Sequence, residues 1–311
     1  MTELSPQTAA VHAVKGTAHP DYTPVHNAVA YTYNDIHALD EKCLLVWIKG
    51  GGDLGTGVAH RLHRAGMRVV LSELPQPLVV RRTVAFASAV YEGSIALEGV
   101  EARLARDGGD VRSLLEEGIV PVVVDPAGAV GALLEPHVVV DARMAKRNLG
   151  TMLNDARIVI GLGPGFVAGK DVHAVVETMR GHDLGRVLLQ GSARPDTQVP
   201  SAIEGYGRER VLRAPSAGRF VARVRIGDLV LPERVLAHVA ERPLVASIPG
   251  VVRGLLHDGL LVQPGQKVGD IDPRGIVEYC FSISDKARAI GGGVLEAILY
   301  LKSSRRPCCA T

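Results

Sequence analysis

The sequence predicts an α/β protein: a largely parallel sheet domain, then a small all-β domain, then a C-terminal helix. Three observations carry this reading. From residue 43 short apolar segments alternate with helical ones, the pattern of βαβ units. Near Gly205 the texture changes to short strands punctuated by Gly and Pro. From residue 285, apolar Ala289, Ile290, Val294, Ile298 and Leu301 recur at helical spacing behind Ser284 or Asp285 as cap. The expected organisation is a loosely ordered extension over 1–42, the sheet domain over 43–205, the β domain over 206–283, and a helix and tail over 284–311.

Residues 1–42 show no sustained period of 2 or 3.6. His12, His19 and His26 fall seven apart there, but they lack Cys, Asp or Glu partners at ligand spacing, so no metal is expected. Strand-length apolar runs follow at 44–49, 68–73, 120–124, 137–140, 157–161 and 186–190, with helices fitting at 55–65, 78–89, 111–117 and 172–179. In the β domain Gly218, Gly227, Val230 and Pro232 recur 32 positions later as Gly250, Gly259, Val262 and Pro264. Two such halves, each too small to bury a sheet face alone, are expected to pair into one sandwich. In the last helix, Gly291 to Gly293 mark either a weak point or a close packing contact.

Composition excludes several function classes. Hydrophobic residues at 47% and charged residues at 22% are ordinary for a globular chain. A net charge of +2 supplies no basic field for a phosphate polymer, so nucleic acid is not an expected partner. No apolar run approaches the roughly 18 residues of a membrane helix, and the first 30 residues lack the signal-peptide pattern, which places the protein in the cytoplasm. Cys43, Cys280, Cys308 and Cys309 form no CxxC or zinc spacing and are expected to remain thiols.

Two loops point to a ligand. The first strand runs into Lys49-Gly50-Gly51-Gly52-Asp53-Leu54-Gly55, in which Gly50, Gly52 and Gly55 satisfy G-x-G-x-x-G between a strand and a helix. Such glycines let the backbone approach a pyrophosphate at a helix N-terminus, which gives the sheet domain its Rossmann-like character. Glu73, ending the second strand, stands where a carboxylate would accept from a ribose diol. Asp53 argues the other way: it sets a negative charge beside the phosphate, and the same glycines also suit a turn that only packs helix on strand. The second cluster joins Lys146 and Arg147, beyond the strand at 137–140, to the loop holding Gly163, Gly165 and Lys170. It is a candidate cradle for further phosphate or pterin. It is not a P-loop, because Pro164 replaces its first glycine and Asp171 its magnesium-holding hydroxyl. Strand-end Asp125 and Asp141 are common in this architecture and are not assigned as metal ligands. No nucleophile-and-base pair stands out, so whether the chain is an enzyme stays open. The repeat, with Ala214-Pro215-Ser216-Ala217-Gly218 and Gly265-Gln266-Lys267-Val268-Gly269-Asp270, has the pattern of a biotinyl/lipoyl-like (barrel-sandwich) domain. Its connecting turn Ala240-Glu241-Arg242-Pro243 lacks the carrier lysine, so no covalent biotin or lipoate is expected, and the module is assigned to docking a partner or covering the sheet-domain site.

Several strings together resemble the YqeB family of selenium-dependent molybdenum hydroxylase accessory proteins. They are Gly51-Gly52-Asp53-Leu54-Gly55-Thr56-Gly57-Val58-Ala59, Arg81-Arg82-Thr83-Val84-Ala85-Phe86, Ala145-Lys146-Arg147-Asn148-Leu149-Gly150-Thr151, Gly161-Leu162-Gly163-Pro164-Gly165-Phe166 and Lys267-Val268-Gly269-Asp270-Ile271-Asp272-Pro273-Arg274. The resemblance runs from about Val46 to Leu301. It implies a role in maturing a molybdenum hydroxylase client, with a nucleotide or molybdopterin-type cofactor bound for delivery or modification. From the residues alone, an NAD-dependent oxidoreductase using Gly50 and Glu73, and a non-catalytic scaffold, stand as alternatives.

Overall fold

The computed structural model describes residues 44–130, 134–197 and 199–304. The expectations for 1–42 with its histidines, and for Cys43, Cys308 and Cys309, lie outside those residues.

Nine segments become strands of one sheet: β1 (Leu45–Lys49), β2 (Arg68–Glu73), β3 (Ser94–Leu97), β4 (Val100–Ala105), β5 (Val120–Val124), β6 (Val138–Asp141), β7 (Ile158–Leu162), β8 (Ala174–Val176) and β9 (Val187–Leu188). Their order is β3-β4-β5-β2-β1-β6-β7-β8-β9, with the edge strands β3 and β9 antiparallel to their neighbours. The α-helices described in full are α1 (Asp53–Arg64), α2 (Ala89–Glu92), α3 (Gly108–Glu116) and α4 (Asp285–Ser304). Alternate strand residues bury on opposite faces, as a two-residue period requires. Val46, Ile48, Val69, Leu71, Val138 and Val140 pack with α1 and α4, while Trp47, Val139, Val159 and Val175 pack against the loop carrying Phe166 and Ala168.

The expected Rossmann-like domain is not what forms. The sheet is mixed, and no α-helix joins β6 to β7 or β7 to β8. The helix expected over 172–179 is instead strand β8, because a short apolar run fixes no period: Val172, Ala174, Val175 and Val176 are all fully buried. The helix expected over 78–89 is replaced by two 3-10 turns, Arg82–Val84 and Phe86–Ser88, and the short α2. That segment's polar groups are turned outward: Val80 accepts from Leu255 N–H at 2.7 Å, Arg82 Nε donates to the Leu255 carbonyl at 2.8 Å, and Thr83 donates to the Cys280 carbonyl at 2.5 Å. The β3–β4 hairpin was not expected. Its two-residue turn, Glu98-Gly99 with φ of +46° and +80°, is the sequence signal that marks it.

The biotinyl/lipoyl-like expectation is corrected as well. The strands are β10 (Val211–Arg213), β11 (Gly218–Ala222), β12 (Leu229–Val230), β13 (Val235–Val239), β14 (Arg242–Val245), β15 (Gly250–Leu255), β16 (Leu261–Val262) and β17 (Lys267–Asp272). They form two antiparallel sheets ordered β10-β17-β15-β12 and β14-β13-β11-β16. The halves of the repeat interleave, since β12 pairs with β15 and β11 with β16. The module is also not freestanding: β15 is hydrogen-bonded to residues 80 and 82, as above.

Helix α4 lies on α1 through glycines. A Cβ on Gly57 would stand 2.7 Å from Ala287 Cβ and 2.8 Å from its carbonyl oxygen, whereas one on Gly292 would meet nothing within 4 Å. Gly57→Ala is therefore expected to destabilise by about 1–3 kcal/mol, the overpacking cost outweighing the helix-propensity gain of about 1 kcal/mol. Gly292→Ala is expected to stabilise by about 0.5–1 kcal/mol. Urea denaturation of both variants checks the contrast, and equal effects would contradict this packing.

Candidate functional site

The chain leaves β1 toward one side of the sheet and β6 toward the other, and open sheets bind ligands where such neighbours diverge. A cavity of about 860 Å³ lies there. The segments following β1, β6, β7 and β8 supply Asp53, Lys146, Pro164 and Arg180; the β module supplies Arg210, Arg253 and Lys267; Asp285 and Lys286 open α4 at its edge. Ten cationic side chains line it against four carboxylates.

Most of these cations are held by protein carboxylates. Arg210 pairs with Asp270 at 2.6 Å, Arg180 with Asp285 at 2.7 Å, and Arg81 with Asp53 at 2.8 Å. Asp272, fully buried, would be raised by its burial, but the two-pronged contact from Arg274 at 2.6 and 2.9 Å outweighs that and lowers it. Arg253, also buried, stands 3.4 Å from Asp272, and burial lowers its pKa from the ordinary arginine value. Its Nε, the Nε of Arg81 and Oδ1 of Asp53 are buried without a hydrogen-bond partner. Among the described residues, Lys267 and Lys286 have no hydrogen bond or ion pair. Lys267 is exposed at the start of β17 and Lys286 is half-buried, and partial desolvation lowers the pKa of both ammonium groups.

Of the residues singled out in the sequence, Asp53 and Lys146 line the cavity. Lys146 pairs with Asp196 at 2.5 Å on the exposed rim. Gly50, Gly52, Gly55 and Glu73 lie beside it, in a loop closed on itself. Gly51 N–H donates to Glu73 Oε1 at 2.7 Å, Ala87 N–H donates to the Gly51 carbonyl at 2.9 Å, and Thr56 Oγ1 donates to the same carbonyl at 2.9 Å. A Cβ on Gly55 would fall 2.0 Å from the Gly50 carbonyl oxygen, so this glycine serves helix-on-strand packing. Glu73 is raised above the ordinary carboxylate range by burial and accepts from Gly51 and Leu74 N–H. Gly165 brings the second cluster together, its α-carbon against the Arg147 backbone, and Gly163 abuts Thr178. Arg147 and Lys170 do not reach the cavity wall; Lys170 sits in a turn closed by Asp171 accepting from Val167 N–H at 2.9 Å. Asp125 caps the chain at Ala129 and Val130, and Asp141 is held by Arg143 and Thr151. Among the described residues no group of three His, Cys, Asp or Glu could hold a metal ion, and no helix is long and apolar enough to cross a membrane.

Sequence reasoning missed Arg81, Arg253, Lys267 and Lys286 as site residues. They are dispersed over 200 positions in the chain, and only the fold brings them together.

No protein-family model matches the chain. It is 52% identical over 257 residues to the uncharacterized protein YqeB of Escherichia coli (strain K12), a match covering 83% of this chain and 48% of that protein. The chain thus spans about half the length of the curated relative it matches. Among solved structures it shares 13% identity with an aspartoacylase family protein of Mesorhizobium loti, over 74% of this chain and 84% of that one, at a TM-score of 0.23. It shares 13% identity with the ectoine utilization protein EutE (DoeB) of Ruegeria pomeroyi, over 74% and 85%, at 0.22. At those scores neither likeness bears on fold or function.

Glu73→Ala leaves the Gly51 and Leu74 N–H groups without their acceptor, so it is expected to destabilise the ligand-free protein by about 1–3 kcal/mol. Unchanged urea stability would return Glu73 to a role in ligand contact alone.

Proposed function

We propose that this chain is a YqeB-type accessory protein that binds a phosphate-bearing small molecule in the cation-lined cavity. The cargo would be a molybdenum cofactor or its nucleotide form, held for delivery to, or modification for, a molybdenum hydroxylase client in the cytoplasm. The observation that carries the binding function is the pair Lys267 and Lys286, two ammonium groups without protein partners, beside the buried and incompletely bonded Arg81 and Arg253. Gathering cations in a crowded space is unfavourable unless an anion compensates them, and Lys and Arg are the side chains that bind phosphate best. The cavity's volume is within the range that encloses a ligand of nucleotide size. The 52% identity to YqeB supports the family, and the resemblance to that family supports the client.

Calorimetric titration with pyrophosphate tests the binding function. Lys267→Ala and Lys286→Ala are each expected to weaken binding about tenfold, the loss of one charged hydrogen bond. Lys170→Ala, outside the cavity, is expected to leave it unchanged. Affinity unaffected by the first two would sink the proposal. The pH dependence has a definite sign. An ammonium with a lowered pKa loses its charge earlier as pH rises, so affinity for sulfate, whose own charge stays constant, is expected to fall below the ordinary lysine value of about 10.4. Affinity flat to that value would show that these lysines do not hold the anion.

A further inference from the structure

The β module contributes a cationic face to the cavity, and its carboxylates compensate only part of it. Arg210 pairs with Asp270 at 2.6 Å, and Arg253 stands 3.4 Å from Asp272. Arg213 and Lys267, both exposed and both lining the cavity, are left over. Among the described residues neither has an ion pair, and the one side-chain hydrogen bond between them runs from Arg213 Nη1 to the Gly265 carbonyl at 2.8 Å. They stand directly opposite one another in the antiparallel ladder of β10 and β17. Residues so placed share a face with their Cβ atoms about 5 Å apart, and like charges there destabilise the pairing. Partial desolvation lowers the pKa of Lys267; Asp270 and Asp53 oppose that shift, while Arg210 and Arg213 add to it. Two adjacent cations without a carboxylate are the arrangement that an anion with two charges would relieve.

We infer that Arg213 and Lys267 form a two-cation clamp for a terminal phosphate, and that the cargo therefore ends in a phosphomonoester. The inference rests on the cavity being the anion site proposed above, and it narrows the cargo to molecules with a free phosphate end. A monoester phosphate carries close to two charges near neutral pH and presents three free oxygens. An internal phosphodiester carries one charge and presents two. The Arg213 guanidinium is a planar fork that meets two oxygens of one phosphate, and the Lys267 ammonium is a point charge for the third. The bond to the Gly265 carbonyl uses Nη1 alone, so Nε and Nη2 of Arg213 keep their N–H groups for the ligand. Bound phosphate turns the repulsion across β10 and β17 into a shared attraction, and a singly charged diester does so by half.

The test is displacement of pyrophosphate from the full chain by phenyl phosphate and by methyl phenyl phosphate, followed by calorimetry at about pH 8, where the monoester is fully ionised. The two competitors differ by one methyl group, which turns the doubly charged monoester into a singly charged diester. The unaltered protein is expected to release pyrophosphate at about tenfold lower concentration of the monoester than of the diester. Arg213→Gln, at an exposed position, is expected to fold normally and to lose most of that preference, and Arg213→Lys, which keeps the charge, to retain it. Equal displacement by the two competitors in the unaltered protein would overturn the inference and leave the anion site standing. An undiminished preference in folded Arg213→Gln would remove Arg213 from the clamp and overturn it equally. Absence of pyrophosphate binding by the unaltered protein would overturn both the inference and the anion site beneath it.

Discussion

The Arg81 guanidinium joins the parts of this protein that make the cavity. It bonds Asp53 at the start of α1, and it donates to the Tyr279 and Ser282 carbonyls at 3.1 and 3.3 Å, just before α4. Its neighbours extend the same joint, Arg82 to β15 and Thr83 to the Cys280 carbonyl. Three consecutive residues thus bind the sheet, the β module and the entry to the last helix, which is why that stretch forgoes a regular helix. A buried guanidinium is tolerable only when its donors are used, and here two of its three nitrogens are bonded to protein.

The cavity follows from that joint. With β15 drawn onto residues 80–82, the cationic end of β17 and the side chain of Arg253 come to face the carboxyl ends of the parallel strands. Helix α4 then returns to the sheet and packs on α1 through Gly57, Gly291 and Ala287, which sets Asp285 and Lys286 at the cavity edge. Each module alone would present a few solvated cations. Together they line one cavity with ten, alongside apolar side chains.

Much of the secondary structure is legible in the sequence because strongly apolar runs bounded by Gly or charge leave little choice, as at β2 and β5. What misleads is equally physical. The fully buried β8 carries no period, residues 78–89 give up a helix for tertiary bonds, and the interleaved β module pairs strands across its repeat as well as within each half. The glycine motif sits where strand meets helix, and groups of its Gly51 bond Glu73, Thr56 and Ala87. Asp53 was visible as the residue out of place for phosphate, and the fold pairs it with Arg81. The cations from the C-terminal half were not legible, since no spacing in the chain announces that residues 253, 267 and 286 share a wall with residue 53.

The most direct measurement of the central claim is amine labelling of the folded protein with and without pyrophosphate, read residue by residue by mass spectrometry. Saturating pyrophosphate should protect Lys267 and Lys286 while exposed Lys170 labels as before. Unchanged labelling at both cavity lysines, or protection centred on Lys170, would place the anion elsewhere and contradict the account.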